Sequence, residues 1–346
     1  MSKDDTYFLK GLAIILLLFH HNPFDSDLFY FLKAGARICV WIFIFISAYG
    51  FTLQMKAGYE KKPIRYAIKR IILLYSEMWF FYLYKLAVIV LSDQSALPYF
   101  RSSVLNLPID MLALSILFGK PLIAADWYVN YLLITIAVFP LLYFLARKTS
   151  WFSIPAVVIL TLICPYKMTF EYGGQFNYYI LMVMLGILFA QNSVFERLAK
   201  YKHKNEFWVL LIGLILCLVL VLARYILVPL HERKWYLSYG PISVLLATVI
   251  ILMVFLLRKD GKINELLHKL GRHSGNMYFC HGVFYNVFLH LLNIKNGYIS
   301  FFACFAYSLL FSILVELIKK KTDYNKRIRQ GIKILLREEQ IKKQDA

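Results

Sequence analysis

The sequence predicts an all-α fold: a polytopic membrane bundle of about ten transmembrane helices, with the N-terminus and C-terminus both in the cytoplasm. Three observations lead there. The chain is 60% hydrophobic, with a mean hydropathy of +0.61, whereas a soluble domain is about 45–50% apolar. The apolar residues run in long blocks and do not form the one-sided stripes of a soluble helix. Lys and Arg are divided very unequally between alternate connecting segments.

Ten blocks read as spans, at 7–21, 34–55, 70–92, 127–145, 151–166, 176–191, 206–229, 238–257, 276–293 and 299–318. A spanning helix needs about 17–25 residues, so the first, fifth and sixth are short. The stretch 104–119 is also apolar but carries Asn106, Pro108 and Asp110, and it reads as an interfacial or re-entrant helix in a long loop. With the N-terminus inside, 29 of the 39 Lys and Arg residues fall in cytoplasmic segments, nine fall in outer ones, and Lys85 lies inside a span. That asymmetry is the positive-inside pattern. An eleventh span at 104–119 would turn every later basic cluster outward.

The same distribution accounts for the net charge of +19. A basic chain can be a nucleic-acid binder, but here the charge sits in loops that face anionic membrane lipid, so no nucleic-acid partner is expected. Residues 1–320 read as one helical domain and 321–346 as a basic cytoplasmic tail, amphipathic from 319 onward. No cleavage pattern follows the first span, which is expected to remain as a helix. The five cysteines stand singly in spans with no Cys/His metal spacing, so no metal site is expected. No internal repeat and no oligomer signature is present.

Two histidines stand out. The run "FLKGLAIILLLFHHNPF" (8–24) closes an apolar helix on His20 and His21. A second intramembrane site, His281, lies in "GRHSGNMYFCHGVF". An interfacial His can simply be wetted by headgroup water, but polar groups at membrane depth tend to face a cavity or a partner. Histidine is also the usual general base near neutral pH.

These segments resemble the acyltransferase-3 family of integral membrane acyltransferases. The opening helix matches the family's pattern of a basic residue, small and apolar residues, then a closing His. "VWIFIFISAYGFTL" (40–53) is similar to its second helix, and "LGRHSGNMYFCHGVF" (270–284) to its late segment, with Ser274, Tyr278 and His281 in step. One departure is visible. The family often shows Arg-x-x-Arg entering the third helix; here "IKRIILLYSEMW" (68–79) supplies Lys69 and Arg70, but Leu73 stands at the second Arg. Arg65 and Lys69 are candidates to replace that charge.

The resemblance implies transfer of an acyl group, acetyl or longer, from cytoplasmic acyl-CoA to a hydroxyl of a cell-surface glycan or lipid-linked sugar. It implies a multi-pass protein of the plasma membrane, with acetyl-CoA or another acyl-CoA as donor substrate and no bound cofactor. On this reading His20 is the general base and His21 turns elsewhere or orients the site. A covalent acyl-histidine route stays open. Arg70, with Lys69, would contact CoA phosphate. His281, Tyr278, Ser274, Ser47 and Trp127 would line the site, with Ser47 also a small packing residue and Asp126-Trp127 a sugar platform. The outer loop "HERKWY" (231–236) reads as solvated. A secondary transporter or glycan flippase is the alternative, although transporters commonly show two related halves.

Overall fold

The computed structural model describes residues 1–24, 32–33, 35–92, 106–114, 127–163, 169–170 and 174–336. In chain order the helices are α1 (Lys3–His21), α2 (Cys39–Gln54, extended by a wide turn Met55–Tyr59), α3 (Pro63–Ser92), the short α4 (Asn106–Met111), α5 (Trp127–Thr149), α6 (Ser153–Ile163), α7 (Phe176–Gln191), α8 (Val194–Leu198), α9 (Glu206–Leu257), α10 (Lys262–Val283), α11 (Gly297–Lys321) and α12 (Tyr324–Leu335). A wide turn at Phe284–Phe288 and a last turn at Leu289–Leu291 prolong α10. A two-residue hairpin, Thr169–Phe170 with Gly174–Gln175, is the only sheet among the described residues.

Local chemistry sets the ends of α1. Ser2 and Asp5 form a reciprocal capping box: Asp5 N–H donates to Ser2 Oγ (3.0 Å) and Ser2 N–H to Asp5 Oδ2 (2.8 Å). Asn22 leaves the helix in an extended conformation (φ −74°, ψ 139°), as favoured before Pro23. Its amide then donates to Gly297 O at 2.7 Å, pinning the end of α1 to the start of α11.

Helix directions follow from paired contacts. Asp4 meets His268 at 3.0 Å near one end of α1 and His21 meets His281 near the other, so α1 and α10 run parallel. They touch without side chains between them. A Cβ on Gly11 would lie 2.0 Å from Leu267 O, and one on Gly271 would lie 1.8 Å from Tyr7 O. α2 and α7 are also parallel: Trp41 packs on Tyr179, and Gly186 sits against Phe45, Ala48 and Tyr49. α11 runs back along α10, with His273 bonded to Ser312 and the Cys280 thiol directed to Ser308 O.

The basic segments gather at one end of the bundle. Lys202 and Arg258 converge on Asp5 (3.6 and 2.9 Å), Lys56 donates to Ala190 O, and Arg147 pairs with Glu60. The Met1 ammonium bonds Tyr49 Oη at 3.1 Å and lies 3.6 Å from Glu196. Burial pushes this amine below its usual range, and Glu196 opposes the shift.

Six stretches among the described residues are long and apolar enough to cross a membrane: Cys39–Tyr59, Pro63–Val88, Trp127–Ile159, Glu206–Ala223, Gly240–Leu257 and Gly297–Lys321. The pair Tyr179–Gln191 and Val194–Tyr201, bent by 63°, adds a seventh if it is one broken span. Among the described residues, length and composition alone therefore count fewer than the ten expected from hydropathy. The shortfall falls on α1, which holds Asp4, Asp5 and Lys10; on α10, polar through its first half; and on α6, which the count joins to α5.

Three loop boundaries need correction. Between the expected spans 238–257 and 276–293 the chain is helical from Lys262, because Leu267 and Gly271 pack against α1. The expected outer loop 230–237 is helical too: the backbone keeps helical bonding from Glu206 to Leu257. Even so, the chain turns back within it, since His203 N–H donates to Leu256 O at 3.1 Å and Lys259 pairs with Glu206. Finally, the amphipathic stretch expected from 319 begins only after α11, because Lys319 lies in α11 and is 2% exposed.

The interfacial helix expected at 104–119 is partly within the described residues, as α4. It docks on α3, with Trp79 Nε1–H donating to Met111 O (2.7 Å), Tyr75 to Leu112 O (2.9 Å) and Tyr82 to Asp110 Oδ2 (2.9 Å).

Candidate active site

α1 ends where α10 is passing, and this brings three imidazoles together. The His20 and His21 ring centroids are 5.1 Å apart, and the His21 and His281 centroids are also 5.1 Å apart. Consecutive residues on a helix point about 100° apart, so the two histidines meet different surroundings. His20 Nδ1 lies 2.9 Å from Lys33 O. A carbonyl only accepts, so Nδ1 carries the proton and Nε2 holds the lone pair. His21 is exposed, and among the described residues it has no hydrogen-bond partner. His281 is buried, with its Nδ1–H donated to Tyr278 O.

The sequence marks His281 as a lining residue of a site whose base is His20. The structure puts the ring contact with His21 instead, because α10 passes on the side of α1 that His21 faces. Tyr285 completes this corner, 6.4 Å from both His21 and His281, its hydroxyl donated to Leu18 O at 2.9 Å.

The other expected residues divide. Tyr278 packs against His281 at 5.6 Å and against Tyr128 at 5.4 Å. Ser47 lies near the Tyr128 hydroxyl, so Ser47, Tyr128, Tyr278 and His281 follow one another from α2 through α5 to α10. Trp127 stacks on Tyr179 (5.9 Å, 25°) in an aromatic wall with Trp41 and Tyr131. Asp126 lies outside the described residues, and so do the side chains of 231–236. Ser274 is not brought to the histidines. It is buried two turns below His281 and donates to Gly271 O in its own helix (2.9 Å).

A second charged locus lies nearer the basic end. The Arg70 guanidinium stacks over Phe51, 4.4 Å from the ring centroid, and its Nε is buried without a hydrogen bond. Lys10 stands within electrostatic reach of Arg70, and neither has a carboxylate partner among the described residues. The nearby Tyr66 hydroxyl is likewise buried and unbonded. Lys69 is engaged differently, with its ammonium bonded to Tyr59 Oη. Lys10 is eleven residues before His21, or about 16 Å along the helix axis.

Lys10, Lys85 and Tyr285 were not singled out from sequence as site residues. Lys85 is 2% exposed and acts electrostatically on His281. The available signal was an ionisable residue inside an apolar span, which by default marks a functional position. Among the described residues, no group of three or more His, Cys, Asp or Glu side chains is arranged to hold a metal ion.

The sequence model of the acyltransferase domain matches residues 7–317. The chain belongs to the acyltransferase-3 family. No curated protein and no solved structure matches it. As an acyltransferase of this family it is a multi-pass membrane protein of the transferase class. The matched region contains both histidine-bearing helices and the Lys10–Arg70 locus. It stops at Leu317 in α11, so α12 lies beyond it.

Proposed function

We propose that the protein carries an acyl group, acetyl in the simplest case, from acyl-CoA to a hydroxyl of a surface or lipid-linked glycan at the plasma membrane. The basic end of the bundle faces the cytoplasm on this reading, in accord with the positive-inside tendency. The observation that carries it is the separation of two loci along α1: the cations Lys10 and Arg70, without a carboxylate partner among the described residues, on one side, and the imidazoles of His20, His21 and His281 about 16 Å further along.

CoA is a polyanion, and cations in a site of low dielectric attract it strongly. With its phosphates at Lys10 and Arg70, an extended pantetheine arm covers a separation of this order and delivers the thioester to the histidines. The acceptor hydroxyl comes from the opposite end, past Trp127 and Tyr179.

A sugar hydroxyl is a weak nucleophile at neutral pH. An imidazole removes its proton as the oxygen attacks the thioester carbonyl. The tetrahedral intermediate then collapses, the C–S bond breaks, and the imidazolium returns the proton to the departing CoA thiolate. The products are an O-acyl ester and free CoA. The base is assigned to His21, which is exposed and in contact with His281, while His20 holds Lys33 O through its Nδ1–H. His20 then braces the end of α1.

The test is the O-acyl content of surface glycan in a deletion strain complemented with each variant, with protein amount checked by immunoblot. His21→Ala is expected to lose about 10²–10⁴-fold in rate, the typical contribution of a general base. His20→Ala and His281→Ala should lose less. A larger loss from His20→Ala than from His21→Ala would return the base to His20. Unchanged acylation in the complete deletion would end the acyltransferase reading of this glycan.

A further inference from the structure

Where α12 folds back beneath α11, it leaves an open cleft of about 1190 Å³ against α10 and α11. α12 is held there firmly. Its Tyr324 hydroxyl donates to Ser76 O of α3 at 2.7 Å, its ring packs on Phe80, and Ile332 is 3% exposed. The elbow rests on the buried ammonium of Lys319, which pairs with Glu77 of α3 and lies 3.3 Å from Asn276 Oδ1 of α10. The cleft is therefore a built feature of the fold and does not depend on a dangling tail.

Its lining is lopsided in charge. Lys320, Lys326, Arg329 and Lys333 all face it, and none of the four forms an ion pair or side-chain hydrogen bond among the described residues. The two carboxylates of the lining are Glu316, already bound to Asn276 (2.7 Å) and near Lys319 (3.8 Å), and Asp323 at the elbow. The opposite wall is apolar. Ile313 and Leu317 lie on the outward face of α11 and are 40% and 58% exposed, a side that in a membrane meets lipid tails.

We propose that this cleft binds one anionic glycerophospholipid, with the phosphodiester among Lys326, Arg329, Lys320 and Lys333 and an acyl chain along Ile313 and Leu317. Arg329 offers the planar fork that matches phosphate oxygens, and the lysines add point charge. A soluble nucleotide fits less well, because the cleft has no Phe, Tyr or Trp to stack a base and its one imidazole, His273, is bonded to Ser312. The site is distinct from Lys10 and Arg70, and five of its lining residues lie in α12, outside the matched acyltransferase domain. It ties placement of α11, and through Asn276 that of α10, to the charge of the surrounding leaflet.

Native mass spectrometry of the full-length protein in detergent, titrated with dioleoylphosphatidylglycerol or dioleoylphosphatidylcholine, tests this without any turnover. One phosphatidylglycerol should be retained in preference to phosphatidylcholine. Lys326→Gln/Arg329→Gln should lower that preference by roughly tenfold or more, while Arg329→Lys keeps part of it. Lys200→Gln/Lys204→Gln, with equal charge loss at the same end of the bundle, should leave it unchanged. Thermal unfolding of each variant in detergent identifies any that do not fold, and Arg329→Lys then serves as the deciding variant. Equal binding of the two lipids overturns the proposal, as does an equal loss in the Lys200/Lys204 variant, which would mean diffuse attraction only. Displacement of the lipid by free CoA would reassign the cleft to the nucleotide, whereas retention against CoA and inorganic phosphate supports the lipid.

Discussion

Where α1 crosses α10 the backbones themselves touch, and where the two arms of α9 run side by side only side chains meet. At the first contact each glycine hydrogen points at a carbonyl oxygen of the facing helix. At the second, Gly213 faces the Met253 side chain, whose sulfur would lie 2.4 Å from an added Cβ and can swing aside. The first arm of α9 shows Phe207, Trp208, Leu211 and Leu214 to the outside, while the α1–α10 pair is largely enclosed. In a bilayer, burying an apolar face gains little, because lipid is as apolar as leucine, so tight helix pairs depend on close backbone approach and polar contacts. The imidazoles sit on the tight pair. A base must be held to fractions of an ångström to act, and a backbone-sealed crossing provides that rigidity where a lipid-facing hairpin does not.

The most severe way to break this contrast is a single methyl group. Gly271→Ala or Gly11→Ala forces the helices apart and should cost about 3 kcal/mol or more, at the top of the range for overpacked cores, with loss of acyl transfer as His21 and His281 separate. Gly213→Ala should cost under about 1 kcal/mol, because a methionine can move. Thermal unfolding of the purified variants in detergent measures both, and equal costs would show that the two contacts are not different in kind.

Glu77→Gln comes next. It removes the carboxylate from the ammonium of Lys319, which keeps Asn276 at 3.3 Å, Glu316 at 3.8 Å and the Phe80 and Phe81 rings. Breaking a fully buried pair costs about 3–5 kcal/mol. Glu77 is 37% exposed, so about 2 kcal/mol is expected in the same unfolding assay. Lys319→Met in the Glu77→Gln background should recover part of it. No recovery would mean that the pair does not carry the loss.

Arg70→Ala should leave folding nearly intact and weaken apparent affinity for acyl-CoA about tenfold, in line with one lost charge-assisted hydrogen bond. Arg70→Lys should restore part, lacking the fork, and Leu73→Ala should have little effect. Donor titration in membranes decides it: an unchanged donor dependence in Arg70→Ala would make the residue a topological anchor only. The smallest effect is expected at Leu211→Ala on the exposed arm of α9, within about 0.5 kcal/mol and with full activity.

The helical class, the membrane setting and the family were legible in the sequence because each rests on composition or on short motifs. Apolar blocks mark most of the helices, and His20, His21 and His281 stand out as polar groups at membrane depth. The same signal was weakest where the site is built. α10 is too polar over Lys262–Asn276 to read as a span, and hydropathy leaves its part before 276 as a loop because it registers contact with lipid and not contact with another helix. Ser274 was misplaced for a related reason: spacing along a helix sets height and angle, but not which height a neighbour reaches.

By itself, then, the sequence determined that α1 ends on a pair of imidazoles at a set distance from Lys10, since helix rise depends only on residue number. It also determined that the two imidazoles point different ways. Which of them meets His281 was decided only by the tertiary structure. The side on which α10 passes depends on Gly11, Gly271, Leu267 and Tyr7 fitting together across 260 residues of chain, and a contact between two surfaces is a property of neither surface alone.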